Sequence, residues 1–100
     1  MEKLKPHHDL TAINAAFGKV EDLRMTKTAH DGALGLGLAL QDVVDLIQKT
    51  TRSQFYKSMK TIADSKVWQD VYRVPWKTKV LYLKFTTDAQ GFLVISLKEK

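Results

Sequence analysis

The chain has 100 residues, of which 44% are hydrophobic, and 16 Lys and Arg against 11 Asp and Glu give a formal net charge of +5. This length suits one hydrophobic core, so we predict a single domain over residues 1–100. The chain contains no cysteine, which excludes disulfides, thiolate metal sites and cysteine nucleophiles. No apolar run approaches the ~20 residues of a membrane helix, and the start lacks the apolar region of a secretory signal. We therefore expect a soluble, cytoplasmic protein with no membrane partner.

Three segments of the first half have the pattern of short helices. Asp9 is a candidate N-cap for a helix with apolar residues at 10, 13 and 17, ending near Gly18. Thr26 or Thr28 can cap a second helix, whose end is left undefined by glycines at 32, 35 and 37. The segment LALQDVVDLIQK places polar side chains on one helical face and apolar ones on the other. The apolar ones are Leu40, Val43, Val44 and Ile47.

Strand patterns begin at residue 55. Residues 55–61 and 67–73 are predicted to form two strands joined by a turn at ADSK, residues 63–66, although FYKSMK has no clear apolar side. Pro75 either ends the second strand or confines it to a sheet edge. The segments VLYLKF and FLVISLKEK alternate, and the turn composition of TTDAQG between them predicts an antiparallel hairpin.

The alternation in this hairpin assigns the faces of the sheet. If its Leu and Ile positions face the helices, Tyr82 and Lys98 lie together on the opposite face. The predicted fold class is α+β, with short N-terminal helices packed on one face of a C-terminal, mainly antiparallel sheet. The residues expected to face the helices are Leu81, Leu83, Phe85, Leu93, Ile95 and Leu97.

The excess positive charge lies in the half with the predicted strands. Residues 1–53 carry seven Lys and Arg and seven Asp and Glu, whereas residues 54–100 carry nine and four, together with eight of the nine aromatic residues. Lysines next to aromatic rings suit nucleic acid, because ammonium groups bind phosphates and rings stack on bases. The alternative is ordinary sheet composition, in which aromatics pack and lysines protect edges.

Several short segments resemble the MqsR family of bacterial toxins, which are mRNA interferases of toxin–antitoxin pairs with a fold related to RelE-like toxins. The segments are MEK, Pro6-His7, FYKSM, WQDVYR, YLK and the terminal SLKEK. They occur in the order and at the spacing of the family, so the resemblance covers the whole chain. The chain departs from the family pattern along its first two helices, in VPWKTK and in the TTDAQG turn.

The resemblance implies an endoribonuclease that works without a metal or other cofactor and cuts single-stranded mRNA at GC-containing triplets, which inhibits translation and growth. In such an enzyme the ribose 2′-hydroxyl attacks the adjacent phosphate, leaving a 2′,3′-cyclic phosphate and a 5′-hydroxyl. The resemblance also implies a cognate MqsA-like antitoxin that binds DNA. This chain would then meet DNA only through the antitoxin complex.

The same resemblance assigns four catalytic residues, namely Lys57, Gln69, Tyr82 and Lys98. Lysines offset phosphate charge, a tyrosine can act as acid or base, and Gln69 can hold a phosphate oxygen or the 2′-hydroxyl. Which residue is the acid and which the base stays open. From the residues alone, each has an ordinary alternative as a solvated lysine, a packing tyrosine or a surface glutamine.

Four further residues are candidates for RNA binding. Arg73 and Lys84 are interpreted as RNA-positioning groups. Trp76, in a predicted loop beside Pro75, is either a base-stacking residue or a cover for the core. His7 matches the Pro-His start of the family and is an accessory candidate.

A metal site is not predicted, because the sequence has no HExxH motif, no cysteine and no cluster of Asp and Glu at ligand spacing. Two other functions stay open beside the ribonuclease. One is a non-catalytic RNA-binding or antitoxin-binding relative, and the other is a plain protein-interaction domain.

Overall fold

A computed structural model describes residues 2–60 and 67–100 of the chain, within which there are three α-helices and five β-strands. The helices are α1 (Leu10–Ala16), α2 (Lys27–Gly35) and α3 (Leu40–Lys49), with short 3-10 helices at Val20–Asp22 and Arg52–Gln54. The strands are β1 (Glu2–Lys3), β2 (Phe55–Lys60), β3 (Trp68–Trp76), β4 (Lys79–Asp88) and β5 (Gly91–Glu99). The predicted turn at residues 63–66 lies outside the described residues.

The sheet confirms the predicted α+β class. Its strand order is β1-β2-β3-β4-β5, and each neighbouring pair is antiparallel. The predicted hairpin is β4–β5. Strand β1 was not predicted, because two residues are too few to show a period. In the described part of the chain, no helix has the length and apolar character needed to span a membrane.

The predicted helix caps are present. The Asp9 side chain accepts a hydrogen bond from the Thr11 N–H at 2.9 Å. For α2 the cap is Thr26, whose hydroxyl oxygen accepts from the Ala29 N–H at 3.1 Å. The predicted apolar face of α3 is partly wrong. Leu40, which the prediction included, is 39% exposed, whereas Leu46, which it did not include, is 5% exposed. The reason is that α3 is buried toward its C-terminal end.

Strand β3 continues through Pro75 to Trp76, beyond its predicted end. Its pairing with β2 stops at Tyr72, so the last part of β3 pairs with β4 alone and Pro75 lies at an open edge. This confirms the edge alternative, because an open edge does not need the N–H that proline lacks. The prediction that Trp76 lies in a loop is also wrong, because Trp76 is the last residue of β3. Trp76 pairs with Lys79 across a tight turn in which Lys77 adopts a φ of 55°.

The core lies between the three helices and one face of the sheet. The predicted inward residues of β4 are all buried. In β5 the prediction is confirmed for Leu97, which is buried, but it is wrong for Leu93 and Ile95, which are partly exposed while Val94 is buried. A bulge at Ile95 causes the difference, since consecutive residues of β4 pair with Ser96 and Val94 and the alternation reverses there.

A buried carboxylate fixes the N-terminal segment to the sheet. Asp70 is 0% exposed and accepts hydrogen bonds from the Ser58 hydroxyl at 2.6 Å and from the N–H groups of His7 and His8 at 3.1 and 2.8 Å. These bonds satisfy a charged group that would be costly to bury alone. They also hold the segment that follows β1, and β1 carries Glu2 to the edge of the sheet.

Candidate active site

A cleft of about 230 Å³ lies on the sheet face opposite the helices. Strands β2, β3, β4 and β5 all contribute to it, so its walls belong to a hydrogen-bonded sheet and not to loops. Its lining is basic and aromatic, and it includes no acidic side chain. The lining residues are Tyr56, Lys57, Met59, Val71, Tyr82, Lys84 and Lys98.

The strand register explains which side chains meet in the cleft. Val71 is the cross-strand neighbour of both Lys57 and Lys84, and at 2% exposure it forms the floor between them. Tyr82 is the cross-strand neighbour of Arg73 on one side and Lys98 on the other. Directly opposite residues have Cβ atoms roughly 4.5–5.5 Å apart. The sheet therefore brings Tyr82 and Lys98 together, as the alternation predicts.

A second bulge adds Tyr56 to the cleft. Phe55 pairs with Tyr72 on the core side and Lys57 pairs with Val71 on the open side, which leaves Tyr56 as the extra residue. This irregularity is the reason that FYKSMK shows no clear alternation. As a result, both Tyr56 and Lys57 line the cleft.

Tyr56 contacts both a cation and a second aromatic ring. The Arg73 guanidinium carbon is 4.3 Å from the centroid of the Tyr56 ring, which is a cation–π distance. The Tyr56 and Tyr82 rings are stacked with centroids 6.1 Å apart and planes at 23°. Tyr56 is 38% exposed, so this stack presents an aromatic surface at the mouth of the cleft.

The lysines of the cleft differ in their surroundings. The Lys57 ammonium donates a hydrogen bond to the Glu2 carboxylate at 2.6 Å, which raises the pKa of Lys57 and lowers that of Glu2. Burial lowers the pKa of Lys84, and the nearby ammonium groups of Lys98 and Lys57 lower it further. The cleft thus holds one lysine stabilised in its charged form and one that releases its proton more easily.

The structure brings three of the four predicted catalytic residues into the cleft, namely Lys57, Tyr82 and Lys98. Gln69 lies at its margin. It is opposite Met59 in β2 and two residues from Val71, so it shares the open face without lining the cleft itself.

Two of the four RNA-binding candidates also belong to this face. Lys84 lines the cleft, and Arg73 lies over Tyr56 beside it. Trp76 does not, since it packs against the core cluster on the helix side. This contact matches the interpretation of Trp76 as a cover for the core.

His7 lies in the N-terminal segment and does not line the cleft. Its ring stacks on Trp68 at 5.4 Å between centroids, and its Nδ1 is 2.8 Å from the Lys3 ammonium. Burial lowers the pKa of His7, and the charges of Lys3 and His8 lower it further. In residues 2–60 and 67–100, no group of three or more His, Cys, Asp or Glu is placed to hold a metal ion.

Four residues of the site were not predicted, namely Glu2, Tyr56, Met59 and Val71. The break in alternation beside Lys57 was a signal for Tyr56, because a bulge turns neighbouring side chains to one face. Glu2 had no comparable signal, since its position depends on the pairing of β1 with β2, which is distant in sequence.

Comparison with known proteins gives two findings. Residues 5–99 match the family described as "Motility quorum-sensing regulator, toxin of MqsA". The chain is also similar to the mRNA interferase toxin MqsR of Escherichia coli (strain K12), with 38% identity over 100 residues that cover all of both chains.

Proposed function

The chain belongs to the MqsR toxin family, and from this premise we propose that it is the toxin of a toxin–antitoxin pair and an endoribonuclease that cleaves mRNA. In more detail, it cuts single-stranded mRNA at GC-containing triplets without a metal. The ribose 2′-hydroxyl attacks the adjacent phosphate and leaves a 2′,3′-cyclic phosphate and a 5′-hydroxyl. Residues 1–100 act as a single domain in the cytoplasm, where mRNA is translated.

The observation that carries this proposal is the basic, aromatic cleft on an open sheet face. Its three lysines surround a buried apolar floor, so a phosphate that enters is attracted by all of them. Strand pairing sets the backbone positions of all three lysines before the substrate binds, and the hydrogen bond to Glu2 also holds the Lys57 ammonium group. Charge that develops on the phosphoryl oxygens in the transition state is therefore stabilised with little reorganisation.

Each residue of the site has a separate role in the proposed reaction. Lys57, whose pKa is raised by the hydrogen bond with Glu2, stays charged and neutralises the phosphate. Tyr82 and Lys98 form the cross-strand pair that protonates the leaving 5′-oxygen. Gln69, at the margin, holds a phosphate oxygen or a hydroxyl of the neighbouring nucleotide.

The aromatic stack beside the cleft suits the bases that flank the cleaved bond. Single-stranded RNA is bound through unstacked bases, which lie on aromatic or guanidinium planes. Tyr56 and Arg73 offer both kinds of plane at the mouth of the cleft. Arg73 also has paired donors suited to the O6 and N7 acceptors of guanine, which supports a preference for GC-containing triplets.

The partner that follows from the family is a cognate MqsA-like antitoxin. The family description itself names MqsA as the protein with which its toxin is paired. Contact with DNA occurs through that antitoxin complex and not through the cleft, whose substrate is single-stranded RNA.

The experiment that tests the proposal is cleavage of an unstructured RNA containing several GC triplets, in the presence of EDTA, with mapping of both new ends. Wild type is compared with Lys98→Ala and with Lys79→Ala, a matched loss of a lysine that pairs with Glu99 and does not line the cleft. We expect 5′-hydroxyl ends within GC triplets for wild type and Lys79→Ala. For Lys98→Ala we expect the cleavage rate to fall by about 10² or more.

Each other outcome contradicts a stated part of the proposal. Cleavage that EDTA abolishes would exclude the metal-free mechanism, and cuts outside GC triplets would exclude the sequence preference. Salt-dependent RNA binding without any cleavage would identify a non-catalytic relative. A chain that neither binds nor cleaves RNA would be a protein-interaction domain.

A further inference from the structure

We propose that Lys84 is the general base of the cleavage reaction, the group that accepts the proton of the ribose 2′-hydroxyl. The resemblance to known toxins does not assign this role, and from its sequence position Lys84 was interpreted only as an RNA-positioning group. The role rests on the proposed ribonuclease activity and completes it, since that activity otherwise lacks an identified base.

Lys84 lines the cleft together with Lys57 and Lys98. It extends from β4, which is hydrogen-bonded on both sides, and its cross-strand neighbours are the uncharged Val71 and Ser96. It lies two residues from Tyr82 on the same strand, so both side chains point to the open face. It is also diagonal to Lys98 across β4 and β5, and diagonal neighbours in a sheet are roughly 7–8 Å apart. A phosphate bound in the cleft is therefore bordered both by Lys84 and by the Tyr82–Lys98 pair.

The charges around Lys84 favour its neutral form. None of the ion pairs in the described part of the chain includes Lys84, whereas Lys57 is paired with Glu2. Burial and the ammonium groups of Lys98 and Lys57 lower its pKa. The titratable or charged groups that face it are Tyr56 and Lys57 from β2, Arg73 from β3, Tyr82 from β4 and Lys98 from β5.

A lysine in these surroundings can act as a base, because partial burial and neighbouring cations both favour the free amine over the ammonium form. The amine of Lys84 takes the proton from the 2′-hydroxyl while the 2′-oxygen forms a bond to the adjacent phosphorus. The bond between that phosphorus and the 5′-oxygen breaks, and the 5′-oxygen takes a proton from Tyr82 or Lys98. Lys84 ends as an ammonium group, and proton exchange with water restores both residues.

Lys84→Arg is the variant that separates a base from a fixed charge. Arginine keeps the positive charge but does not release its proton at an accessible pH. We expect kcat to fall by about 10²–10⁴, while the Kd for an uncleavable RNA with a 2′-deoxy substitution stays within about threefold. The matched control is Lys79→Arg on the same strand, at the β3–β4 turn away from the cleft, and it should behave as wild type.

The pH profile gives a second measurement. For wild type, kcat/KM should rise with pH up to the pKa of Lys84, which lies below the ordinary lysine value of about 10.4, and Lys84→Arg should lose this rise. Lys84→Ala should also be slow, and added ethylamine should restore part of its rate in proportion to the free amine. Thermal melting of each variant shows whether it is folded.

The outcomes separate this assignment from the proposed function. If folded Lys84→Arg cleaves RNA within tenfold of wild type and keeps the rising limb, Lys84 is only a charge and its role as base is excluded, while the ribonuclease activity stands. If wild type itself cleaves no RNA, the proposed function fails and the role of Lys84 fails with it. Failure of ethylamine to rescue a folded Lys84→Ala would also count against the base.

Discussion

The two faces of the sheet are built from neighbouring residues of the same strands, yet they differ in almost every physical property. In β4, Leu81, Leu83 and Phe85 are 0% exposed and pack under the helices, whereas Tyr82 and Lys84 between them line a basic cleft. The covered face stabilises the fold by burying apolar surface, and the open face gathers charges that repel one another. Stability and activity should therefore be separable by single substitutions one residue apart.

Leu83→Ala should have the largest effect on the covered face. The side chain is 0% exposed at the centre of the core, so its truncation should lower the free energy of unfolding by about 2–5 kcal/mol. Urea denaturation measures this change, and RNA cleavage per folded molecule should stay near the wild-type rate. A stable Leu83→Ala protein with strongly reduced cleavage would show that the two faces are not independent.

Tyr82→Phe is the matched change on the open face. It removes one hydroxyl group from the residue that pairs with Lys98, and kcat should fall by about 10² or more because the proposed mechanism uses that hydroxyl in proton transfer. RNA affinity should fall far less, and the urea midpoint should match that of wild type. Near-normal cleavage by Tyr82→Phe would remove Tyr82 from the catalytic group.

Gly32→Ala tests the close contact between α2 and β5, the strand that carries Lys98. A Cβ at Gly32 would overlap the backbone carbonyl oxygen of Leu97, so α2 and β5 would have to move apart. We expect a loss of about 1–3 kcal/mol in the free energy of unfolding, as for other overpacked sites. Gly35→Ala in the same helix is the control, because a Cβ there meets nothing within 4 Å; it should leave stability unchanged or slightly raised. Equal effects of the two changes would argue against the close contact.

The sequence predicted the covered face better than the open one, and the reason is physical. Helix caps and the alternation in β4 are local patterns, so α1, α2 and the burial of Leu83 could be read directly. The bulges at Tyr56 and Ile95 depend on how two strands pair, and a break in alternation within one segment does not show which residue is the extra one. For this reason Leu93 and Ile95 were assigned to the wrong face, and Tyr56 was missed.

The candidate site was predicted through the family resemblance more than through periodicity. Alternation alone placed Tyr82 and Lys98 on one face, whereas Lys57 and Gln69 came only from the resemblance. Glu2 could not be predicted at all, because its contact with Lys57 joins residues 55 positions apart. It is also the one acidic side chain that the described structure pairs with a lysine of the cleft.

Glu2→Gln should have the smallest effect, and its sign is informative. The carboxylate occupies a hydrogen bond of the Lys57 ammonium that a phosphate would use, so its removal should lower the Kd for uncleavable RNA by about two- to fivefold at low salt. This gain should shrink as salt is added, because the pair is exposed and screened. Stability should change little.

The control for Glu2→Gln is Glu99→Gln, which raises the net charge equally but releases Lys79, outside the cleft. Equal tightening by both variants would indicate a general charge effect, and weaker binding by Glu2→Gln would show that Glu2 orients Lys57 for RNA. The pH dependence of RNA binding is a second test of Glu2. Because the pKa of Glu2 is lowered in the folded protein, its pairing is present at neutral pH and is lost as the pH falls through that lowered value. Wild type and Glu2→Gln should therefore bind RNA alike only in acid, and a difference that persisted there would require a cause other than the carboxylate charge.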